Sequence, residues 1–108
     1  MVSIKEITTI ELQAMRDGCV EHQLIDVREP YEAELCTMGG ILIPMAQILE
    51  RRCELRHDIP VIFHCRNGNR AAAVVQALCS RYGFDNLYNL SGGITAFSIA
   101  VDSNIFCD

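Results

Sequence analysis

No apolar run in this sequence approaches the roughly 20 residues that a membrane span requires. The opening Met1-Val2-Ser3-Ile4-Lys5-Glu6 also lacks the basic start and apolar core of a signal peptide. A cytoplasmic location is therefore the expectation. Positive charge is scarce: the net charge is −5 and the basic residues are scattered, which leaves no footprint for nucleic acid and no basic face for a membrane. Any anion site must be local. No two cysteines form a close Cys-x-x-Cys pair, and His22, His57 and His64 do not complete a zinc set, so neither a metal nor a cofactor is expected. With no secretory signal and half of its residues apolar, the chain does not need stapling. Its six cysteines, Cys19, Cys36, Cys53, Cys65, Cys79 and Cys107, are accordingly read as free thiols. Internal repeats, low-complexity segments and interior linkers are absent too, and 108 residues match one compact unit, so residues 1–108 are expected to form a single domain.

What the sequence does contain is an alternation of short apolar runs with amphipathic stretches. Leu24 to Val27, Ile41 to Ile43, Val61 to Phe63 and Leu87 to Leu90 read as buried strands. A first helix begins at a capping box of Thr8 and Glu11 and stops at Gly18, and Pro30 can open a second. A third is expected over Met45 to Leu55, with Met45, Ile48, Leu49 and Cys53 facing inward. Ala71 to Tyr82 is the clearest helix, largely buried, with Gly83 where a terminating glycine belongs. Strands alternating with helices imply parallel crossovers and a sheet covered on both faces, an α/β class.

The chemistry concentrates at one junction. Pro60-Val61-Ile62-Phe63-His64-Cys65 is an apolar strand ending in cysteine, followed by Arg66-Asn67-Gly68-Asn69-Arg70 and a helix. Sites in α/β proteins lie outside the carboxyl ends of strands. Gly68 permits the positive φ that curls backbone N–H groups inward. A cysteine above those groups and above a helix N-terminus sits where a thiolate is stabilised, and Arg66 and Arg70 add positive charge. Cys65 is thus the candidate nucleophile, and Arg66, Asn67, Gly68, Asn69 and Arg70 are the candidate anion-binding residues. His64 reads as a packed structural residue rather than a base.

Four segments in order resemble the rhodanese family, over nearly the whole chain. They are Leu24-Ile25-Asp26-Val27-Arg28-Glu29-Pro30-Tyr31-Glu32, the turn and strand from Gly40 to Pro44, the loop His64-Cys65-Arg66-Asn67-Gly68-Asn69-Arg70, and Leu90-Ser91-Gly92-Gly93-Ile94-Thr95-Ala96-Phe97. The resemblance implies a rhodanese-like α/β fold with a five-stranded, mostly parallel sheet and helices on both faces. It implies a sulfurtransferase that moves sulfur from a donor such as thiosulfate or a persulfide to a thiophilic acceptor through a Cys65 persulfide. By the same resemblance the backbone from Arg66 to Arg70 cradles the persulfide, and Asp26 and Arg28 buttress the loop. The donor and acceptor are small molecules or proteins, a sulfur-carrier protein among them. The stretch from Met38 to Met45 and the tail after Phe97 look like rhodanese modules joined to enzymes that activate sulfur-carrier proteins. The chain departs from the family where Leu35-Cys36-Thr37-Met38 replaces a frequent Gly-His pair, where Ala71 follows the loop arginine in place of serine, and where Phe97 replaces a frequent tryptophan.

Two other functions suit the same fold. A phosphatase or arsenate reductase also uses a cysteine and an arginine-closed loop, but the four residues between Cys65 and Arg70 are one fewer than the related cell-cycle phosphatases use. A docking or regulatory module is the second alternative. Such modules commonly lack the loop cysteine that is present here.

Overall fold

The computed structural model describes residues 4–101. Cys107 and the tail beyond residue 101, to which part of the sequence reading was attached, lie outside the described residues, as do residues 1–3.

Five strands form one sheet: β1 (Lys5–Ile7), β2 (Gln23–Asp26), β3 (Ile41–Leu42), β4 (Val61–His64) and β5 (Leu87–Leu90). Their spatial order is β1-β5-β4-β2-β3, and each neighbouring pair is parallel. The sheet is therefore parallel throughout, where the sequence reading expected it mostly so. β4 lies at the centre, in register with β2 from Val61 opposite Gln23 to His64 opposite Asp26. Alternation along β4 splits its side chains between two cores. Val61, Phe63 and Cys65 face one side with Ile25, Val27 and Ile43, and Ile62 faces the other with Leu24 and Leu90.

Four helices cover the faces: α1 (Thr9–Asp17), α2 (Pro30–Leu35), α3 (Asn69–Tyr82) and α4 (Gly93–Ala100). Leu12 of α1 and Ile94 and Phe97 of α4 pack on the Ile62 side, whereas Val74, Val75 and Leu78 of α3 pack on the Phe63 side. α1 starts with the expected capping box, in which the Thr8 hydroxyl accepts from Glu11 N–H at 3.1 Å and the Glu11 carboxylate accepts from Thr8 N–H at 2.9 Å. Pro30 opens α2, and Gly83 closes α3 with φ 70°.

Three expectations are corrected. First, no helix covers Met45 to Leu55. The segment forms two short 3₁₀ turns, Met45–Gln47 and Arg52–Glu54, and only Ile48 and Leu55 are fully buried, while Met45 and Cys53 are exposed. Side chains take over carbonyls that a helix would use, as when Arg52 donates to the Leu49 carbonyl at 2.6 Å. Second, α3 is amphipathic rather than largely buried: Ala71, Val74, Val75 and Leu78 are buried, and Ala73, Gln76, Ser80 and Arg81 are exposed. Third, the thiols are not all free. Cys19, Cys53, Cys65 and Cys79 are, but Cys36 is disulfide-bonded.

Candidate active site

Cys65 follows β4 directly, at the carboxyl end of the central strand, where the chain turns one way to β5 through α3 while β2 leads the other way to β3. Such a divergence opens a crevice above the sheet. Cys65 itself has no exposed surface. Its sulfur accepts the Gly68 N–H at 3.1 Å, a bond that the chain can make because Gly68 adopts φ 100°. Asn69 N–H is taken by the Asn67 side chain at 3.2 Å, which tightens the entry into α3. Arg70 is the second residue of α3, so its amide belongs to the first-turn donors that no helical carbonyl satisfies. Arg66, Asn67 and Asn69 are exposed and Gly68 is buried.

The two loop arginines differ in surroundings. Arg70 makes a two-pronged pair with Glu32 of α2, Nη1 to Oε1 at 2.7 Å and Nη2 to Oε2 at 2.9 Å. Hydrogen bonding from Arg70 pushes the Glu32 carboxyl down to about 2, and the Arg70 guanidinium is pushed up in return, chiefly by Glu32 with the nearby Cys65 adding a smaller part. The Arg66 guanidinium has no hydrogen-bond or ion-pair partner among the described residues. Both arginines bring positive charge to the loop, but that of Arg70 is balanced at its tip by Glu32. Sequence reading quoted Glu32 inside a motif without giving it a role, since nothing along the chain signals contact between residues 38 apart.

Beneath β2 and β4 lies a buried polar group. Arg28 donates from Nε to Asp26 Oδ1 at 2.9 Å and from Nη2 to Asp26 Oδ2 at 2.8 Å, with both side chains almost wholly enclosed. The same guanidinium donates to the Cys36 carbonyl at 2.7 Å and to its sulfur at 3.3 Å. Arg28 thus ties the end of β2 to the segment after α2, which carries Glu32. His64 is fully buried beside this pair, and among the described residues neither ring nitrogen meets a partner in hydrogen-bond geometry. Burial pushes its imidazole down to about 4, so the ring is neutral at pH 7.

The loop is also held from the far side, by a contact that strand and helix patterns did not reveal. The first turn of α4 donates to the loop's own carbonyls: Ile94 N–H to Cys65 at 2.9 Å and Thr95 N–H to Arg66 at 3.1 Å. Gly93, at φ 63°, sits so close to those carbonyls that any Cβ there would collide with both. The paired glycines Gly92 and Gly93 were the available signal. Among the described residues no cluster of His, Cys, Asp or Glu could hold a metal ion, and no helix is long and apolar enough to cross a membrane.

Comparison with known proteins agrees with this geometry. The model of the rhodanese-like domain matches residues 8–100. The chain is 40% identical over 86 residues to the uncharacterized protein YqhL of Bacillus subtilis, covering 79% of this chain and 68% of that one. It is 31% identical over 90 residues to the adenylyltransferase and sulfurtransferase MOCS3-1 of Drosophila pseudoobscura pseudoobscura, of which it spans only 20%. Among solved structures, a rhodanese-like domain protein from Staphylococcus aureus superposes with a TM-score of 0.81 at 28% identity, over 97% of this chain and 99% of that one.

Proposed function

The chain belongs to the rhodanese-like domain family, and from that premise we propose that it is a sulfurtransferase whose Cys65 carries sulfur as a persulfide. The observation that carries this reading is the Gly68 N–H directed at the Cys65 sulfur, at the mouth of a parallel sheet and the start of α3. A thiolate there attacks the outer sulfur of a donor. The bond from Sγ to that sulfur forms as the donor's own S–S bond breaks, and the bonding pair leaves with the donor remnant, sulfite from thiosulfate or a thiolate from a persulfide. An acceptor thiolate, or cyanide in the assay, then attacks the outer sulfur of the Cys65 persulfide and returns Cys65 as thiolate. The acceptor is a small thiol or a sulfur-carrier protein, and the domain works in the cytoplasm.

The test is intact-mass analysis with peptide mapping after incubation with thiosulfate and, separately, with cysteine persulfide. We expect one added sulfur atom on the Cys65 peptide, sulfur transfer to cyanide, and loss of both in Cys65→Ser. Sulfur found mainly on Cys79, or transfer that survives Cys65→Ser, overturns the proposal. Hydrolysis of aryl phosphates at a comparable rate would place the phosphatase reading above it, and a Cys65 inert to all donors would favour a docking module.

A further inference from the structure

We infer that Glu32 is a specificity-determining residue: by neutralising Arg70 at the loop mouth it favours persulfide donors of low charge over the dianion thiosulfate. The inference rests on the sulfurtransferase reading for its donors, but its electrostatic part stands on geometry alone. The loop brings two guanidiniums to the approach to Cys65, and a site that kept both free would suit a doubly charged anion. Here the two oxygens of Glu32 accept from both terminal nitrogens of Arg70, at 2.7 and 2.9 Å, so its charge is already offset by a carboxylate when a sulfonate approaches. Arg66 remains, exposed and unpaired among the described residues.

The carboxylate is fixed from its own side as well. Glu32 Oε1 accepts the Glu29 N–H at 3.0 Å, closing a capping box at the start of α2. α2 carries no basic residue that could offset Glu32 from its own helix. A thiosulfate ion reaching the loop meets one open cation, Arg66, and one already paired with a carboxylate, Arg70. A persulfide such as that of cysteine presents a single net negative charge, placed on the sulfur that is transferred. Both donors load Cys65 by the same exchange: the Sγ thiolate bonds to the outer sulfur, the donor S–S bond breaks, and the electron pair departs on sulfite or on the cysteine thiolate. No oxidant, reductant or added proton is needed. The chemistry is common to both donors, so the selection between them lies in approach and binding.

The experiment compares wild type, Glu32→Gln, Glu32→Asp and Arg66→Gln in two ways. The first is independent of sulfur transfer: the rate of Cys65 alkylation by anionic iodoacetate divided by that by neutral iodoacetamide, followed on the Cys65 peptide. Glu32→Gln keeps the shape and one acceptor oxygen but removes the charge, and should raise this ratio about three- to five-fold at low salt. Glu32→Asp should stay near wild type, and Arg66→Gln should lower the ratio by a similar factor. The second compares kcat/KM for thiosulfate with that for cysteine persulfide. Glu32→Gln should shift the balance toward thiosulfate by a comparable factor, through KM and with kcat little changed.

Unchanged ratios in folded Glu32→Gln overturn the inference, as does an equal fall in kcat for both donors, which would make Glu32 only a prop. Should Glu32→Gln fail to fold, Arg66→Gln decides: an alkylation ratio indifferent to Arg66 means that Arg70 still presents its charge, and the inference falls. If the alkylation ratios behave as expected but neither donor loads Cys65, the charge assignment is upheld and the sulfurtransferase reading falls by itself.

Discussion

The side chain on which the end of β2 depends is Arg28, a fully buried cation whose carboxylate partner among the described residues is Asp26. Its pair with Asp26 does not by itself argue for stability, because two charges were taken out of water to form it. Removing one partner is a different matter. Arg28→Leu leaves Asp26 charged and buried and strips the Cys36 carbonyl of its donor, so we expect a loss of about 3 kcal/mol or more in urea unfolding. Adding Asp26→Leu should recover part of that loss. A single variant that unfolds at the wild-type midpoint would show that water reaches the pair. From sequence alone the pair had two readings, a buttress or a surface ion pair worth little. Burial excludes the surface pair, and burial belongs to the surrounding fold rather than to the motif.

At the scale of elements, α4 clamps the reactive loop through its first turn, and Gly93 is the point of closest approach. Gly83→Ala supplies the comparison. Both glycines have positive φ, 63° and 70°, but a Cβ at Gly83 meets nothing within 4 Å. Gly83→Ala should therefore cost about 1 kcal/mol, the penalty for left-handed backbone. Gly93→Ala should cost about 2 kcal/mol more and displace Cys65, read as a lower thermal midpoint together with slowed sulfur loading. Equal losses at the two sites would mean that the loop yields freely. The elements also show what the sequence made legible. α1 and α3 were readable because capping residues and a 3.6-residue apolar period agree, and the β4 junction because strand, glycine and helix follow one another directly. The three-residue β1 carries too short a pattern to stand out, with Ile7 its one buried side chain. Met45 to Leu55 has helical spacing, but tertiary contacts draw in only Ile48 and Leu55 and override it. Glu32 against Arg70 and Gly93 against Cys65 are contacts between distant segments, which no local pattern encodes.

For the molecule as a whole, the dependence of stability on acidity is led by His64 and Glu32. His64 is neutral when folded because burial lowers its affinity for a proton to about 4, against 6.5 when exposed. The unfolded chain therefore takes up this proton first. Stability is at its full value above pH 6.5 and declines as the pH falls toward 4, by on the order of 3 kcal/mol from this residue. Glu32 acts in the same direction at lower pH: its contribution is complete above 4.5 and is lost as the pH falls toward 2. Urea midpoints measured between pH 7 and pH 4 should fall steadily, and His64→Leu should flatten that slope while leaving the decline below pH 4.5. A slope unchanged by His64→Leu would assign it to other groups. The order of the sheet adds a constraint in time rather than in energy. β1 completes the edge beside β5, and Glu6 bonds to Asn89 across 83 residues of chain. On a ribosome β1 must therefore wait for β5, with Ile7 and Leu12 uncovered until β5 and α4 have emerged. Sheet closure at that edge thus awaits β5, and truncation within β5 would leave β1 without its partner.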